Sequence, residues 1–337
     1  MSINGLDKVT IKFLFISKEP DCRWKVRIME KEYNDFCEKL KTELERKFRD
    51  ETYQVRFHSI SKNNSVKYDG IVIYSTESNI SPNFSIEPLY ENYKDGISIE
   101  RLVTELSMRY FAEQFRMKRL ELDMTYEKCR ERIMFRLISY EKNEEELKTM
   151  PHIRYLDMAM VFFVLVYQSD EKIGSFQVTN HLMELWGVKK ESLMKLAEEN
   201  ARRCFPLKIH NMHQMVMDIL SKRELDEEVL QYFQKEIVED VNEIPVILSN
   251  SLGINGAAVL KYEDTLHTVS DMFQGNFYVL PSSIHEVLAL PCSDRIGDKE
   301  LREIVCEVNR DCVTEDEYLS DHVYFYDAEK DALEICL

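Results

Sequence analysis

Along most of the chain the apolar positions recur at one of two spacings, and each change of spacing marks a new element. Residues 9–16 and 24–29 read as two short strands joined around Pro20. Tyr33, Phe36, Cys37, Leu40, Leu44 and Phe48 then fall at helical spacing and predict a helix. Residues 53–60 alternate, Lys62-Asn63-Asn64-Ser65 turns the chain, and residues 66–74 return as the second strand of a hairpin. Residues 78–88 are polar with two prolines and predict a loop. Helical spacing resumes to about residue 149. One stripe holds Ile99, Leu102, Val103, Leu106 and Tyr110, and another holds Tyr126, Cys129, Ile133, Leu137 and Tyr140. The charge cluster over 141–148 and Pro151 place a boundary near residue 150.

Beyond that boundary strands and helices alternate. Residues 157–167 are apolar on both faces, as in a central strand covered on both sides. Residues 189–204 make an amphipathic helix with Leu193, Leu196, Ala197, Asn200 and Cys204 on one face. Strands at 244–248 and 257–262 are expected to pair across 249–256. A helix through Leu266, Val269 and Phe273 leads to a strand at 277–280, a Pro-Ser-Ser turn and a strand at 286–290. Asp298 reads as the N-cap of a helix that turns Leu301, Ile304, Val305 and Val308 inward. Thr314 and Glu317 have capping-box spacing, and a hairpin over 322–326 and 332–336 follows. The class is α+β, with a mixed, largely antiparallel sheet and packed helices in two lobes, 1–150 and 151–337.

Composition narrows the class of protein. The 17 Tyr and 17 Phe among 337 residues exclude a disordered chain, and 9 Gly with 8 Pro exclude a low-complexity one. The eight Cys show no C-x-x-C, which points to reduced thiols in a reducing compartment. The run at 11–16 carries Lys12 and is too short for an export signal. The longest apolar run, 158–167, is half what a membrane helix of roughly twenty residues needs. A cytoplasmic protein without membrane contact is expected. Charge is unevenly placed. Residues 1–150 hold 27 basic and 27 acidic residues, whereas 151–337 hold 17 and 34, which accounts for the whole net charge of −17. The C-terminal half is therefore not expected to bind nucleic acid directly. Either it meets another protein, or its acidity simply keeps the chain soluble.

Candidate chemistry is sparse. Neither G-x-G-x-x-G nor G-x-x-x-x-G-K-[ST] occurs, so no nucleotide cofactor is expected and Gly253 and Gly256 read as turn glycines. His210 and His213 would share one helical face, but without a companion Cys or H-E-x-x-H no metal site is expected. Asp327, Glu329 and Asp331 alternate like the start of a calcium loop, yet Ala332 stands where its glycine belongs, and a hairpin turn is the better reading. Ser192-x-x-Lys195 matches one element of a Ser–Lys nucleophile inside an ordinary helix, without that site's other elements. The richest stretch is residues 280–286, LPSSIHE. There Ser283 and His285 would point the same way on an extended segment, as nucleophile and base with Glu286 nearby. The competing reading is a polar turn whose hydroxyls satisfy local backbone. Asn200, His181 and Trp186 are expected to tie down neighbouring segments. Arg109, Arg116, Lys118, Arg119, Arg130, Arg132 and Arg136 read as solvated helix faces, or as a receptor for the acidic lobe or an anionic ligand.

Several segments together resemble a known family. They are residues 68–73 (YDGIVI), 78–82 (SNISP), 151–157 (PHIRYLD), 181–187 (HLMELWG), 256–260 (GAAVL), 280–286 (LPSSIHE) and 319–327 (LSDHVYFYD). In this order they are similar to domain of unknown function 5688, a family widespread in gut clostridia and related Firmicutes, from about Tyr33 to the C-terminus. The stretch from Trp186 to Asn200 also resembles, more faintly, a group of uncharacterised Bacillus-type cytosolic proteins. The resemblance implies a bacterial cytosolic protein and makes LPSSIHE characteristic of the group, but it carries no activity, catalytic residue or cofactor. The expected function is a non-catalytic protein-interaction or regulatory module facing its partner with the acidic half. The alternatives are a hydrolase using the Ser283/His285 turn and an acidic decoy of a nucleic-acid-binding protein.

Overall fold

A computed structural model describes residues 30–77, 81–117, 123–168, 173–211, 244–281, 283–292 and 297–336. The strands expected at 9–16 and 24–29, and His213, Lys118, Arg119 and Ser282, lie outside them. The described residues form two units, one within Cys22–Asp123 and the other from Met124 onward. Residue 150 lies inside the second unit, between strands of a single sheet. No helix among the described residues is long and apolar enough to cross a membrane.

The first unit packs helices against a three-stranded antiparallel sheet. Its elements are α1 (Glu30–Lys47), β1 (Tyr53–Ser61), β2 (Lys67–Ser75), β3 (Asn83–Ser85), α2 (Glu87–Lys94) and α3 (Ile99–Met117). The helical stripe of α1 buries Phe36, Leu40 and Leu44 against Ile71 and Ile73 of β2 and Leu102, Leu106 and Tyr110 of α3. The hairpin turns through Asn64 at φ 59°, left-handed backbone that Asn tolerates well. The segment expected to be a loop holds β3, whose Asn83–Ser85 pairs with residues 70–72.

The second unit is built on two antiparallel sheets that share a core. β4 (Ile133–Ser139) and β6 (Met158–Gln168) pair in full, while β5 (His152–Tyr155) and β7 (Ile173–Gln177) pair with β6 at successive stretches. The other sheet runs β13-β12-β10-β11-β9-β8. Its strands are β8 (Leu207–Asn211), β9 (Val246–Asn250), β10 (Phe277–Pro281), β11 (Val287–Pro291), β12 (Tyr324–Asp327) and β13 (Ala332–Ile335). β6 is the central strand expected from its two-sided apolarity. Phe162 joins Phe135 of β4, Val279, Val287 and Tyr324 of the larger sheet, and Leu193 and Ala197 of helix α7 (Lys190–Cys204) in one core. Val161 and Ala159 face the other way onto Leu147 of the short helix α5 (Glu144–Leu147). The outer face of the larger sheet is covered by helix α9 (Asp298–Cys312), where Leu301 and Val305 meet Leu280, Leu288 and Leu290.

Three further expectations change. The stripe from Tyr126 to Tyr140 is helical only in α4 (Tyr126–Cys129); Ile133–Ser139 is strand β4, because all its residues except Arg136 are apolar or buried on both faces, as a covered strand requires. Gly256–Lys261 is a 3-10 turn rather than a strand, and β9 pairs instead with β8 and β11. Thr314 and Glu317 close a backbone turn and cap no helix. The remaining helices are α6 (Asn180–Trp186), α7 (Lys190–Cys204) and α8 (Thr265–Phe273). α7 lies where its stripe placed it, with Asn200 buried beside Leu193 and Ala197.

Because Phe162 is fully enclosed between the sheets, Phe162→Ala is expected to lower stability by about 3–5 kcal/mol, read as a fall in the urea midpoint at unchanged slope.

Candidate functional site

The LPSSIHE turn leaves β10 and enters β11, and it does not bring nucleophile and base together. The Ser283 hydroxyl accepts the backbone N–H of His285 at 3.0 Å, while the Ser283 N–H donates to the carbonyl of Glu286. The His285 ring looks elsewhere. Its Nδ1 accepts the backbone N–H of Asn255 at 3.1 Å, which places the ring proton on Nε2, 3.4 Å from Oε1 of Glu317. The charge of Glu286 is felt by His210 on β8, a strand residue rather than the helical one expected, whose pKa is lowered by burial and the neighbouring Lys208 against the pull of Glu286.

These polar groups fasten three loops to one another. Ser249 donates its hydroxyl to the carbonyl of His285 at 2.8 Å, Ala257 N–H donates to Ile284 O, and Ile284 N–H donates to Glu317 O. Gly256 sits at the closest approach. A Cβ there would lie 2.1 Å from the Ser249 hydroxyl and 2.2 Å from the His285 carbonyl, so no side chain fits. Asn250 shapes the first loop by accepting the N–H groups of Leu252 and Gly253 while donating to Ile254 O.

A second polar cluster, which motif reading missed, forms around Asp157 in the tight turn between β5 and β6. Leu156 turns that corner at φ 57°. Asp157 Oδ1 accepts the Tyr324 hydroxyl at 2.7 Å, and Oδ2 accepts the Ser320 hydroxyl at 2.6 Å and lies 3.1 Å from His322 Nδ1. Ser320 in turn accepts the His322 N–H, and Asn309 of α9 holds both the Ser320 carbonyl and Asp321 Oδ1 at 2.8 Å. The order Ser–Asp–His is not that of a nucleophilic triad, because Ser320 gives its proton to the carboxylate and not to the imidazole. Chemically the arrangement is an oriented carboxylate–imidazole pair with the ring more than a third exposed. The signal was present in the sequence: residues 151–157 and 319–327 are two of the segments that carried the family resemblance, and they meet here.

Of the residues expected to tie down neighbouring segments, Asn200 and Trp186 do so and His181 does not. Asn200 donates to the carbonyls of Arg130 and Ile133, and Trp186 Nε1 donates to Met124 O. His181 is exposed on α6. Ser192 and Lys195 are exposed on α7. Asp327 Oδ1 accepts the N–H groups of Glu329 and Lys330 in the hairpin turn. Of the basic residues, Arg109 lies over the Phe84 ring and Arg132 donates to Lys128 O, whereas Arg136 is partly buried on β4 and not on a solvated helix face. Among the described residues no group of three or more His, Cys, Asp or Glu is placed to hold a metal ion.

A family model described as a family of unknown function, DUF5688, matches residues 33–328. No curated protein and no solved structure matches the chain.

Two outcomes follow from this geometry. Gly256→Ala is expected to cost at least about 2 kcal/mol by forcing the three loops apart, read by thermal unfolding. The Tyr324 phenol is held well above the ordinary tyrosine pKa, first by burial and then by the Asp157 carboxylate. Unfolded tyrosines ionise from about pH 10 while folded Tyr324 keeps its proton, so the unfolded state binds fewer protons and stability falls as pH rises past that point. Tyr324→Phe is expected to flatten this alkaline loss in urea titrations between pH 8 and pH 11, although it lowers stability by about 1–3 kcal/mol at neutral pH.

Proposed function

The chain belongs to the DUF5688 family, and we propose that it works as a non-catalytic protein-interaction or regulatory module whose acidic C-terminal half faces the partner. The observation that carries this reading is where the acids lie. Asp298, Glu300, Glu303 and Asp311 are exposed on α9, and Glu329 and Glu334 are exposed at the β12–β13 hairpin. Residues 151–337 hold two acids for every base, a composition suited to steering a basic partner rather than to binding polyanions. Of the side chains that the sequence offered for catalysis, the His285 ring bridges to Asn255 and Glu317, and the Ser283 hydroxyl serves its own turn.

A hydrolytic role for Ser283 would need its hydroxyl at the His285 ring, and that role finds little support while the two ring nitrogens face Asn255 and Glu317. The decoy reading is a narrower form of the interaction reading, in which the partner's own surface is one that binds phosphates.

The test is retention of a partner on the immobilised full-length chain at about 0.05 M and about 0.5 M salt, since screening shortens the reach of exposed charge. Retention at low salt, release at high salt and loss on Glu300→Lys with Glu303→Lys are expected. If nothing is retained at either salt, the reading fails.

A further inference from the structure

The four-stranded sheet stands out against the acidity of its surroundings. β4, β5, β6 and β7 contain Arg136, Arg154 and His152 but no Asp or Glu, in a chain with 61 acidic residues. Register puts these groups on one face. Arg136 and His152 lie in line on either side of Val161, and Arg154 is likewise across Ala159 from Ile138. Gln177 is opposite Phe163 on the same side.

Arg136 is the anomaly of that face. Its Nη2 donates to Gln177 Oε1 at 3.3 Å, and its Nε is sealed from solvent with no acceptor among the described residues, while the residue as a whole keeps partial exposure. Burial lowers its pKa from the usual guanidinium value, and no acid among the described residues raises it. Gln177 is fixed in turn, because its amide nitrogen donates to the carbonyls of Phe162 and Val178 and so aims Oε1 at the arginine. His152 Nδ1 is engaged with Met150 O, and the Arg154 guanidinium is drawn to Leu156 O and the Tyr140 ring. A guanidinium stays charged when enclosed, and one long hydrogen bond to a neutral amide does not offset its lost hydration. A planar fork of donors with no carboxylate of its own calls for an oxyanion from outside.

We propose that Arg136, aimed by Gln177 and flanked by His152, is a binding site for a small oxyanion, a carboxylate or a phosphate group. The site lies within the second unit and is independent of any partner at the acidic surface. A bound anion stabilises the folded chain in proportion to its occupancy, which gives a direct readout. It also makes the empty site a weak point of the fold, which an apolar side chain of similar length would relieve.

The experiment is thermal unfolding of the full chain in chloride buffer, titrated separately with sodium phosphate and sodium acetate against sodium chloride at matched ionic strength. The wild type is expected to show a saturable rise in Tm with one of the two anions, and whichever acts identifies the class. Arg136→Met is expected to unfold at the same or a higher temperature than the wild type without anion, and to show no anion-dependent rise. Arg136→Lys keeps the charge but loses the fork, and at least a tenfold higher anion concentration is expected for the same rise. Should Arg136→Met fail to fold, Arg136→Lys decides the matter by whether its titration shifts. No rise in the wild type beyond the chloride control, or an equal rise in the wild type and in the Arg136 variant that folds, would overturn the site.

Discussion

The carboxylate of Asp157 ties together two sheets that have no strand in common, and the second unit depends on that tie. Asp157 belongs to the turn between β5 and β6, whereas its donors Ser320, His322 and Tyr324 come from the segment that enters β12. Apolar packing between the sheets has no direction, so it fixes their separation but not their relative setting. Hydrogen bonds to one short acceptor do have direction. With Tyr324 wholly enclosed, its hydroxyl must find an acceptor, and the acceptor available is on the other sheet. The loops beyond follow from this setting, since Glu317, three residues before Ser320, receives the Ile284 amide and faces the His285 ring.

Seen this way, the family resemblance is a resemblance of fastening. PHIRYLD and LSDHVYFYD meet at Asp157, and GAAVL and LPSSIHE meet at the Gly256 contact. Each pair is far apart in the chain and close in the fold. These segments are therefore accounted for by what they hold together, which leaves the outward surface, rich in carboxylates, and the partly buried Arg136 as the parts that fastening does not explain.

Elements with one buried face were legible in the sequence: α1, α3, α7 and α9 announce themselves by spacing, and β6 by two-sided apolarity. Where nearly every position is buried, period carries no information. In β4 the residues at helical spacing are only a subset of a run of apolar ones, and in residues 256–260 all five side chains or backbones are enclosed, so a strand and a 3-10 turn look alike. The site was half legible. That residues 280–286 form a polar turn whose Ser283 hydroxyl satisfies local backbone could be read locally, but the partners of the His285 ring could not. Asn255 and Glu317 lie some thirty residues away on either side, and Asp157 lies 167 residues from Tyr324. Nothing in the spacing of Arg136 distinguished it from its solvated neighbours, because its burial depends on which strand lies across from it.

One feature of β6 bears on how the unit resists rearrangement. β5 and β7 share a single edge of it end to end, and the join is closed at Phe162, whose carbonyl accepts both the Val178 amide and the Gln177 side chain. The two short strands reach that edge from opposite ends of β6, one through a two-residue corner at Leu156 and Asp157. A shift of β6 by one residue would have to lengthen one connection while shortening the other, and would exchange its two faces. The strand is held like a rod pinned from both ends. Its neighbours act as stops for sliding in either direction, so the sheet's alignment survives perturbations that would let a simple hairpin creep.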